Sequence, residues 1–416
     1  MSDYKKRTET ILERINELAS ISEDGNFICR TFGSDAFIKA STKLRSWMNE
    51  AGLTTHIDNV GNVRGKLDST EKGCRKFVIG SHIDTVKDAG KFDGTLGVLM
   101  GLDLLENIRK TGPVLPFDIE LIAFSDEEGV RFLTSYLGSK VVVGSFDKDL
   151  LERKDDAGIT LRQVIESMGG DTGKLTDDAI SKENWLGYYE IHIEQGPVLY
   201  HKNIPAASVK AIAGQRRVEV KFQGVQGHAG TVPMDMRKDA LCGVAEFILN
   251  VEAFANENRR NMVATVGKVY ITNAAGNVIP GEVSCTLDLR SDDEGILVSS
   301  HEHLRDICKK ICDERELFFQ WNLVQQSGPV ECDKEMNRLL ALSIQDAGYD
   351  CISLTSGAGH DAVAVSRVAP VAMLFVRCFE GISHHPAENV ESKDIEAAIL
   401  ISDLFIQYLI KKYNPQ

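Results

Sequence analysis

Short apolar runs that end in acidic residues or histidines constrain the fold of this chain more than any other feature. The first half of the sequence alternates these runs with helical patterns, which predicts a mostly parallel sheet covered by helices. The four clearest runs and the polar residues that follow them are 76–80 before His82, 117–124 before Asp126, 187–191 before His192 and 371–376 before His384. Because open α/β sheets bind ligands outside the carboxyl ends of their strands, we expect these polar residues to form a site.

The rhythm of the sequence changes between residues 213 and 327. Strand and helix patterns there follow the order β-α-β-β-α-β, over 217–222, 237–258, 263–271, 283–289, 294–315 and 317–324. This order is typical of a ferredoxin-like domain. We therefore predict an α/β catalytic domain with a mixed, mostly parallel sheet, made of residues 1–212 and 328–416, with an α+β domain of residues 213–327 inserted. A chain of 416 residues is also long enough for two domains.

Composition excludes several classes of function. A formal net charge of −14 argues against nucleic acid as a partner, because binding to phosphates requires a basic surface. No segment approaches the roughly 20 apolar residues of a membrane span. The nine cysteines are scattered and odd in number, as is typical of free thiols in a reducing compartment. We expect a cytoplasmic protein that does not bind membranes.

Histidines beside acidic residues indicate metal chemistry. Six of the ten histidines lie in compact motifs that are rich in Asp, Glu and Gly, namely 81–84, 192–196, 226–230, 359–361 and 383–386. Imidazole and carboxylate together are the ligands that a borderline divalent cation needs, and there are enough of them here for two ions that share one ligand. The sequence thus predicts a metal-dependent hydrolase.

Each motif taken alone is open to a plainer interpretation. His82 and Asp84 point the same way along an extended backbone, so Asp84 can accept the second N–H of the imidazole and fix its tautomer. Asp93-Gly94 alone is more typical of a turn than of a ligand. The residues 126–128 can equally form a solvated loop, although adjacent glutamates at a strand end can divide metal binding and proton transfer between them.

Five motifs in one order resemble a known family over roughly residues 10–410. The motifs are Gly80-Ser81-His82-Ile83-Asp84-Thr85, Gly90-Lys91-Phe92-Asp93-Gly94, Ser125-Asp126-Glu127-Glu128-Gly129, His192-Ile193-Glu194-Gln195-Gly196 and Gly381-Ile382-Ser383-His384-His385-Pro386-Ala387-Glu388. Together they look like the amidohydrolase branch of the two-metal aminoacylase/carboxypeptidase superfamily. The peptidase relatives typically carry an acidic residue at the position of His192, so the resemblance favours enzymes that act on ureido groups.

The resemblance implies two divalent ions per chain and a general base. The implied ligands are Asp93 as the bridge, His82 and His192 on one ion, and Glu128 and His384 on the other. Glu127 is the implied general base. Manganese is expected by analogy, with Zn²⁺ or Co²⁺ as alternatives because His/carboxylate sites accept all three.

The inserted domain is implied to complete the active site. His228, in Gly227-His228-Ala229-Gly230, resembles the histidine that stabilises the oxyanion in this family. That role requires the inserted domain to act as a lid, and in the family the same domain forms the contact of a homodimer. The plainer interpretation is a loop histidine between flexible glycines.

Four residues resemble those that bind a carboxylate and a ureido group in the family: Gln195, Arg217, Asn277 and Arg290. Arginine suits a carboxylate because its two parallel N–H groups match the two oxygens. For Arg217 a charge on a strand surface is the alternative. The residues 356–361 are rich enough in glycine to approach an anion, or form a plain turn, and His360 receives no role.

The substrate implied by the resemblance is a small ureido carboxylate. The segments 88–94, 124–132, 228–234 and 356–362 are most similar to family members that cleave allantoate to ureidoglycine, ammonia and carbon dioxide. Hydrolysis of N-carbamoyl-L-amino acids is the enzymatic alternative. A non-catalytic binding protein that has lost its metals is a further alternative. The presence of every implied ligand and of the base argues against it.

Overall fold

The computed structural model describes residues 2–69 and 73–414. Its strands are β1 Thr54–Ile57, β2 Val63–Leu67, β3 Lys76–His82, β4 Asp118–Phe124, β5 Trp185–Ile193, β6 Ala206–Ile212, β7 Gly214–Gln223, β8 Gly227–His228, β9 Met262–Ile271, β10 Val278–Ile279, β11 Glu282–Ser291, β12 Phe318–Ser327, β13 Val330–Glu331, β14 Ser353–Ser356 and β15 Val371–Val376. Its α-helices are α1 Ser2–Ala19, α2 Asp35–Glu50, α3 Thr95–Thr111, α4 Leu137–Val142, α5 Leu161–Ser167, α6 Val198–Lys202, α7 Ala240–Glu257, α8 Glu294–Glu314, α9 Lys334–Asp346, α10 Ala362–Val365 and α11 Ser392–Tyr413.

The chain divides into two compact units, one formed by Met1–Lys210 with Cys332–Gln416 and the other by Ala211–Glu331. The first unit contains a sheet with the strand order β1-β2-β4-β3-β5-β15-β6. The four central strands, β4, β3, β5 and β15, run parallel. The strands β2 and β6 flank them antiparallel, β1 pairs antiparallel with β2, and β14 pairs with β6. This mixed, mostly parallel sheet confirms the predicted fold class.

Burial explains why the central strands are parallel. All nine residues of β5 and all six of β15 are buried, so both faces of these strands are covered. Strands that are buried on both faces read as continuous apolar runs, which is the pattern of parallel sheets. The helix α3 buries most of its length, and α1 and α11 pack with it in the same apolar core.

Two strands reach further than their apolar runs predicted. β3 continues through His82, which pairs with Phe124, and β5 continues past His192, which pairs with Phe375. The two histidines are therefore held by strand hydrogen bonding at the carboxyl ends of the strands instead of lying in the following loops. Sequence patterning misses this because a polar side chain at a strand end resembles the start of a loop.

The second unit is a four-stranded antiparallel sheet in the order β12-β7-β11-β9. Two helices, α7 and α8, bury their apolar residues with those of the sheet in one core. The succession β7, α7, β9, β11, α8, β12 is the predicted β-α-β-β-α-β order of a ferredoxin-like domain. A short ribbon of β8 and β10 pairs His228 with Val278. The lid and dimer roles of this unit remain predictions.

Within residues 2–69 and 73–414, no helix combines the length and the apolar character that crossing a membrane requires.

Candidate metal centre

A buried aspartate stands at the centre of the candidate metal site. Asp93 lies between β3 and α3 and is followed by Gly94. Gly94 has a φ of 63°, and a Cβ atom on it would lie 2.5 Å from three ring atoms of His82. Only glycine fits here, because any side chain would collide with the imidazole. The Asp-Gly pair therefore brings Asp93 directly against His82.

The two oxygens of the Asp93 carboxylate face different side chains. Oδ1 lies 3.1 Å from Nε2 of His192 and 3.7 Å from Nε2 of His82. Oδ2 lies 3.1 Å from Nε2 of His384, and the same nitrogen lies 3.5 Å from Oε1 of Glu128. One carboxylate thus belongs to two groups of potential ligands, as expected of a residue that bridges two ions.

The tautomers of the two buried histidines suit metal binding. Nδ1 of His82 is 3.0 Å from the main-chain carbonyl of Asp84, and Nδ1 of His192 is 3.0 Å from that of Ile193. Since a carbonyl only accepts, each Nδ1 carries the proton and donates it. In its neutral form, each ring would therefore turn an unprotonated Nε2 atom towards Asp93, and these two atoms are 3.5 Å apart.

Asp84 acts differently from the sequence expectation. Its Oδ1 is 3.7 Å from Nδ1 of His82, too far for a hydrogen bond, and its own main-chain carbonyl accepts the imidazole proton instead. The Asp84 carboxylate accepts the amides of Glu127 and Glu128, each at 3.1 Å. These two amides lie beyond the end of β4 and need an acceptor, which explains why they take the carboxylate.

Glu127 is buried beside the other potential ligands. One carboxylate oxygen of Glu127, one of Glu128 and a ring nitrogen of His82 all lie within 4.8 Å of one another. Burial raises the pKa of Glu127 well above its usual range; the charge of His82 acts to lower it, while Glu128 and Asp361 raise it further. A carboxylate that holds a proton readily is suited to general base and acid catalysis near neutral pH.

Two further groups have shifted pKa values. Burial, with the neighbouring charge of Asp93, raises the pKa of Glu128 to about 7. The hydrogen bond between His384 and Asp93 raises the pKa of His384 to about 9. The charge of Glu128 raises this pKa further, whereas burial acts to lower it. Both groups therefore hold protons that an incoming cation would have to displace.

The donor set fits two divalent ions. Three groups of ligand atoms lie within 4.8 Å of one another: His82 with Asp93 and His192, His82 with Glu127 and Glu128, and Asp93 with Glu128 and His384. Ligands that lie about 2.0–2.2 Å from an ion are about 3.0–3.6 Å from each other, close to the separations seen around Asp93. In addition, Oδ1 of Asp93 is buried and receives no hydrogen bond, so a cation is the partner that it lacks.

The predicted residues of the second unit form two small groups. His228 and Asn277 are both exposed and lie on the β8–β10 ribbon, where the Ala229 amide donates to the Asn277 carbonyl at 2.9 Å. The Gly230 amide donates to Nδ1 of His228 at 3.1 Å. The neutral ring therefore carries its proton on Nε2, which leaves an exposed N–H donor as an oxyanion-stabilising residue requires.

Arg217 and Arg290 share one carboxylate on the sheet of the second unit. Nε of Arg217 and Nε of Arg290 each donate to Asp288 at 2.8 Å, and a second Arg290 nitrogen donates at 3.0 Å. Partial burial acts to raise the pKa of Asp288, but the two arginines lower it below its usual range. Two guanidinium groups around one carboxylate leave a net positive charge.

Gln195 lies with the candidate ligands of the first unit. Its amide nitrogen is 3.1 Å from Oδ2 of Asp93, 3.3 Å from Oγ of Ser383 and 3.3 Å from Nε2 of His384. It has a left-handed φ of 55°, a conformation that is uncommon for non-glycine residues. Gln195, which was expected to contact the substrate, therefore also contacts two proposed metal ligands, Asp93 and His384.

Two residues of the site were given no role by the sequence. His360 is buried, and its ring packs against that of His192 with centroids 4.5 Å apart. Glu388 is buried and accepts the amides of Phe92 and Asp93. Both stand in motifs that sequence reasoning singled out, but their roles depend on contacts between distant segments that no local pattern reveals.

Comparisons with known proteins identify the family of this chain. The sequence profile of peptidase family M20/M25/M40 matches residues 78–408. An allantoate deiminase of Arabidopsis thaliana is 39% identical over 419 residues, which cover 92% of this chain and 79% of the relative. An N-carbamoyl-L-amino-acid amidohydrolase of Pseudomonas sp. (strain NS671) is 35% identical, with 94% of this chain and 95% of the relative covered.

A solved structure extends the likeness to three dimensions. The crystal structure of an amidase of the hydantoinase/carbamoylase family from Burkholderia multivorans superposes with a TM-score of 0.90 at 30% sequence identity. The superposition covers 96% of this chain and 97% of that one. This chain belongs to peptidase family M20/M25/M40, and its similarities confirm the resemblance to the amidohydrolase branch that the five motifs indicated.

Proposed function

We propose that this protein is a two-metal amidohydrolase that cleaves a ureido C–N bond of allantoate. The observation that carries the proposal is the position of Asp93, whose two oxygens face different groups of potential ligands. Family members similar to this chain include enzymes named for allantoate, over nearly the whole of its length. The products would be ureidoglycine, ammonia and carbon dioxide.

The proposed ligands are divided between two ions. Asp93 would hold both, His82 and His192 would complete one set, and Glu128 and His384 the other. Two divalent ions bound there would polarise the scissile carbonyl and make a water more acidic. Manganese is the ion that we propose, with zinc and cobalt as alternatives that the same donors accept.

Glu127 would act as the general base and then as the general acid. It would take a proton from the attacking water and pass it to the leaving nitrogen. Its raised pKa supports this role, because a carboxylate with a raised pKa takes up a proton more readily and can later return it to the leaving nitrogen. The hydrogen bond from the Glu127 amide to Asp84 would fix the backbone that carries it.

His228 would donate a hydrogen bond from Nε2 to the oxyanion. The Gly230 amide on Nδ1 holds the neutral ring in the tautomer that can donate. We further propose that Arg290, Arg217, Asn277 and Gln195 bind the carboxylate and the second ureido arm of the substrate. The net positive charge around Asp288 supports this, since a second carboxylate would balance it.

A homodimer in the cytoplasm completes the proposal. Large apolar side chains are exposed on the second unit, among them Phe318, Tyr270 and Leu249. Burial of such side chains in an interface between two copies would remove apolar surface from water. The scattered cysteines favour a reducing compartment. Light scattering of the purified protein should give twice the mass of the chain.

The second candidate substrate is an N-carbamoyl-L-amino acid, which the similarity to the Pseudomonas amidohydrolase favours. Such compounds have the carboxylate and one ureido group but lack the second arm. Polar groups that are left without a partner can lower kcat/KM by a large factor. The test is to compare kcat/KM for allantoate with that for several N-carbamoyl-L-amino acids, using protein reconstituted with Mn²⁺. A higher value for any carbamoyl amino acid would overturn the choice of allantoate.

A further inference from the structure

Glu388 accepts hydrogen bonds from two distant parts of the candidate metal centre. Its Oε1 accepts the amide of Phe92 at 2.8 Å and that of Asp93 at 3.1 Å. Its Oε2 accepts the hydroxyl of Ser383 at 2.9 Å. The side chain is buried, with 4% of the residue exposed. These side-chain hydrogen bonds of Glu388 thus go to the segment of Asp93, the proposed bridge, and to the segment of the proposed ligand His384.

The main chain before Asp93 leaves room for this carboxylate. A Cβ atom on Gly90 would lie 2.2 Å from the carboxyl carbon of Glu388 and 2.4 Å from its Cβ. A side chain at position 90 would therefore push Glu388 away from the two amides that it accepts. The carboxylate of Glu388 therefore packs closely against the loop that carries Asp93, although 295 residues separate Glu388 from Asp93.

The segment of His384 is partly exposed and has an unusual backbone conformation at the proposed ligand. His384 has a left-handed φ of 53°, which costs energy in a non-glycine residue, and 49% of its side chain is exposed. Ser383 immediately precedes it, and the Ser383 hydroxyl is also 3.5 Å from Oδ2 of Asp93. The hydrogen bond from Ser383 to Glu388 therefore ties the exposed ligand to a buried acceptor.

Charge gives Glu388 a second effect on the site. The proposed ligands and base contribute three carboxylates, those of Asp93, Glu127 and Glu128, against four positive charges on two divalent ions. Glu388 adds a buried carboxylate next to the main chain of Asp93, in addition to the buried carboxylate of Asp84 beside Glu127 and Glu128. Its charge would favour the presence of both ions over that of one, because electrostatic attraction is strong in a buried environment.

We propose that Glu388 is a positioning residue that sets the affinity for the ion held by Asp93, Glu128 and His384. It holds the amide of the bridging residue and, through Ser383, the segment of a ligand that serves this ion alone. The ion held by His82 and His192 depends on Glu388 only through Asp93. The inference rests on the proposed metal centre and adds a residue to which neither the motifs nor the ligand groups assign a function.

The test compares the metal binding of three variants with that of the wild type. Glu388→Gln keeps the shape of the side chain but removes its negative charge. It also replaces one of the two carboxylate oxygens, so that the side chain has one oxygen fewer to accept the Ser383 hydroxyl. Ser383→Ala keeps the carboxylate and removes only the link to the His384 segment. Glu23→Gln is the matched control, because Glu23 also accepts an amide and a hydroxyl, both from Thr31. Titration calorimetry with Mn²⁺ gives the affinity of each ion, and elemental analysis after dialysis gives the stoichiometry.

Glu388→Gln should weaken the ion that Glu128→Gln also weakens by about 10- to 100-fold, the range for residues that orient metal ligands, and the other ion much less. Ser383→Ala should show a smaller loss for the same ion, which provides a test even if Glu388→Gln does not fold. Glu23→Gln should match the wild type, and all four metal-free proteins should melt at similar temperatures.

Other results would overturn the proposal. Wild-type affinity for both ions in Glu388→Gln, or an equal loss for both ions with a lowered melting temperature, would show that Glu388 has no role specific to one ion. A wild-type protein that binds fewer than two ions would instead overturn the proposed metal centre itself, whatever the variants do.

Discussion

The acidic groups of the two units meet opposite electrostatic environments. Around Asp93, carboxylates and imidazole nitrogens face one another, and the buried Oδ1 of Asp93 lacks a donor. Around Asp288, two arginines supply donors to both carboxylate oxygens. The first group is completed only by added cations, whereas the second is already a stable set of ion pairs. Removing a side chain from the group around Asp93 should therefore abolish activity, whereas removing one from the group around Asp288 should only change its magnitude.

The largest effect is expected from Asp93→Ala. Both ions should be lost together, because one carboxylate faces both groups of ligands. Activity should fall to background, and elemental analysis should find no bound metal after dialysis. The control is His385→Gln, at the exposed residue that follows His384 in the sequence. This variant should keep both ions. An Asp93→Ala protein that retains two ions would refute the bridge.

Glu127→Gln and Glu128→Gln should separate catalysis from metal binding. Glutamine at 127 cannot accept the proton, so kcat should fall by roughly 10²–10⁴ while the metal content persists. Glutamine at 128 should weaken the ion that His384 also binds. The backbone amides of Glu127 and Glu128 both donate to the Asp84 carboxylate and are kept in both variants, so each variant controls for disturbance of the loop. The reverse outcome would exchange the roles of base and ligand.

His228→Ala should affect the reaction without affecting the ions. Loss of one oxyanion donor costs about 2.7–4 kcal/mol in the transition state, or roughly 10²–10³ in kcat. Metal content should stay at the wild-type value, because the proposed ligands all belong to the first unit. His301→Ala is a useful control in the same unit, since His301 pairs with Trp321 and no proposed substrate residue. A rise in KM with kcat unchanged would indicate that His228 binds the substrate instead of stabilising the oxyanion.

The sequence predicted the grouping of the ligand-type residues better than it predicted the contacts around them. Ligand-type residues such as His82 and His192 follow apolar strands, so the rule on the carboxyl ends of parallel strands places them together. The β-α-β-β-α-β order of the second unit could be predicted for the same reason, because local periodicity is enough to define each element. Both depend on patterns within a few residues.

Contacts between distant segments could not be predicted in this way. Asp84 was expected to bond His82, but its carboxylate accepts two amides that lie more than 40 residues further along the chain. Glu388 and Gln195 contact Asp93 from distant segments for which the sequence gives no spacing. Such partners are set by how the loops approach one another, and a sequence pattern carries no information on that approach.

Ion binding should depend on pH through His384 and Glu128. The pKa of His384 is raised to about 9, so its proton must leave before the ring can bind a cation, and Glu128 must lose its proton near pH 7. The apparent affinity for the ion that they share should therefore rise from pH 6 to pH 9 and level off above. Each competing proton costs up to about tenfold per pH unit below its pKa. Calorimetry in buffers of different ionisation enthalpy counts the released protons, and an affinity that is constant from pH 6 to 9 would contradict both assignments.

The smallest effects are expected from the Asp288 group. Arg290→Ala should raise KM for substrates with a carboxylate, whereas Arg217→Ala should raise it less, because Arg217 is more exposed and makes one bond to Asp288 where Arg290 makes two. Asp288→Asn should cost at most about 1 kcal/mol of stability, as surface ion pairs do, and should lower KM slightly because it frees positive charge. An analogue whose carboxylate is replaced by a carboxamide is the control and should respond to none of the three changes. If Asp288→Asn instead raised KM as much as Arg290→Ala, the carboxylate would be needed to orient the arginine, and the ion pairs themselves would be part of the binding site.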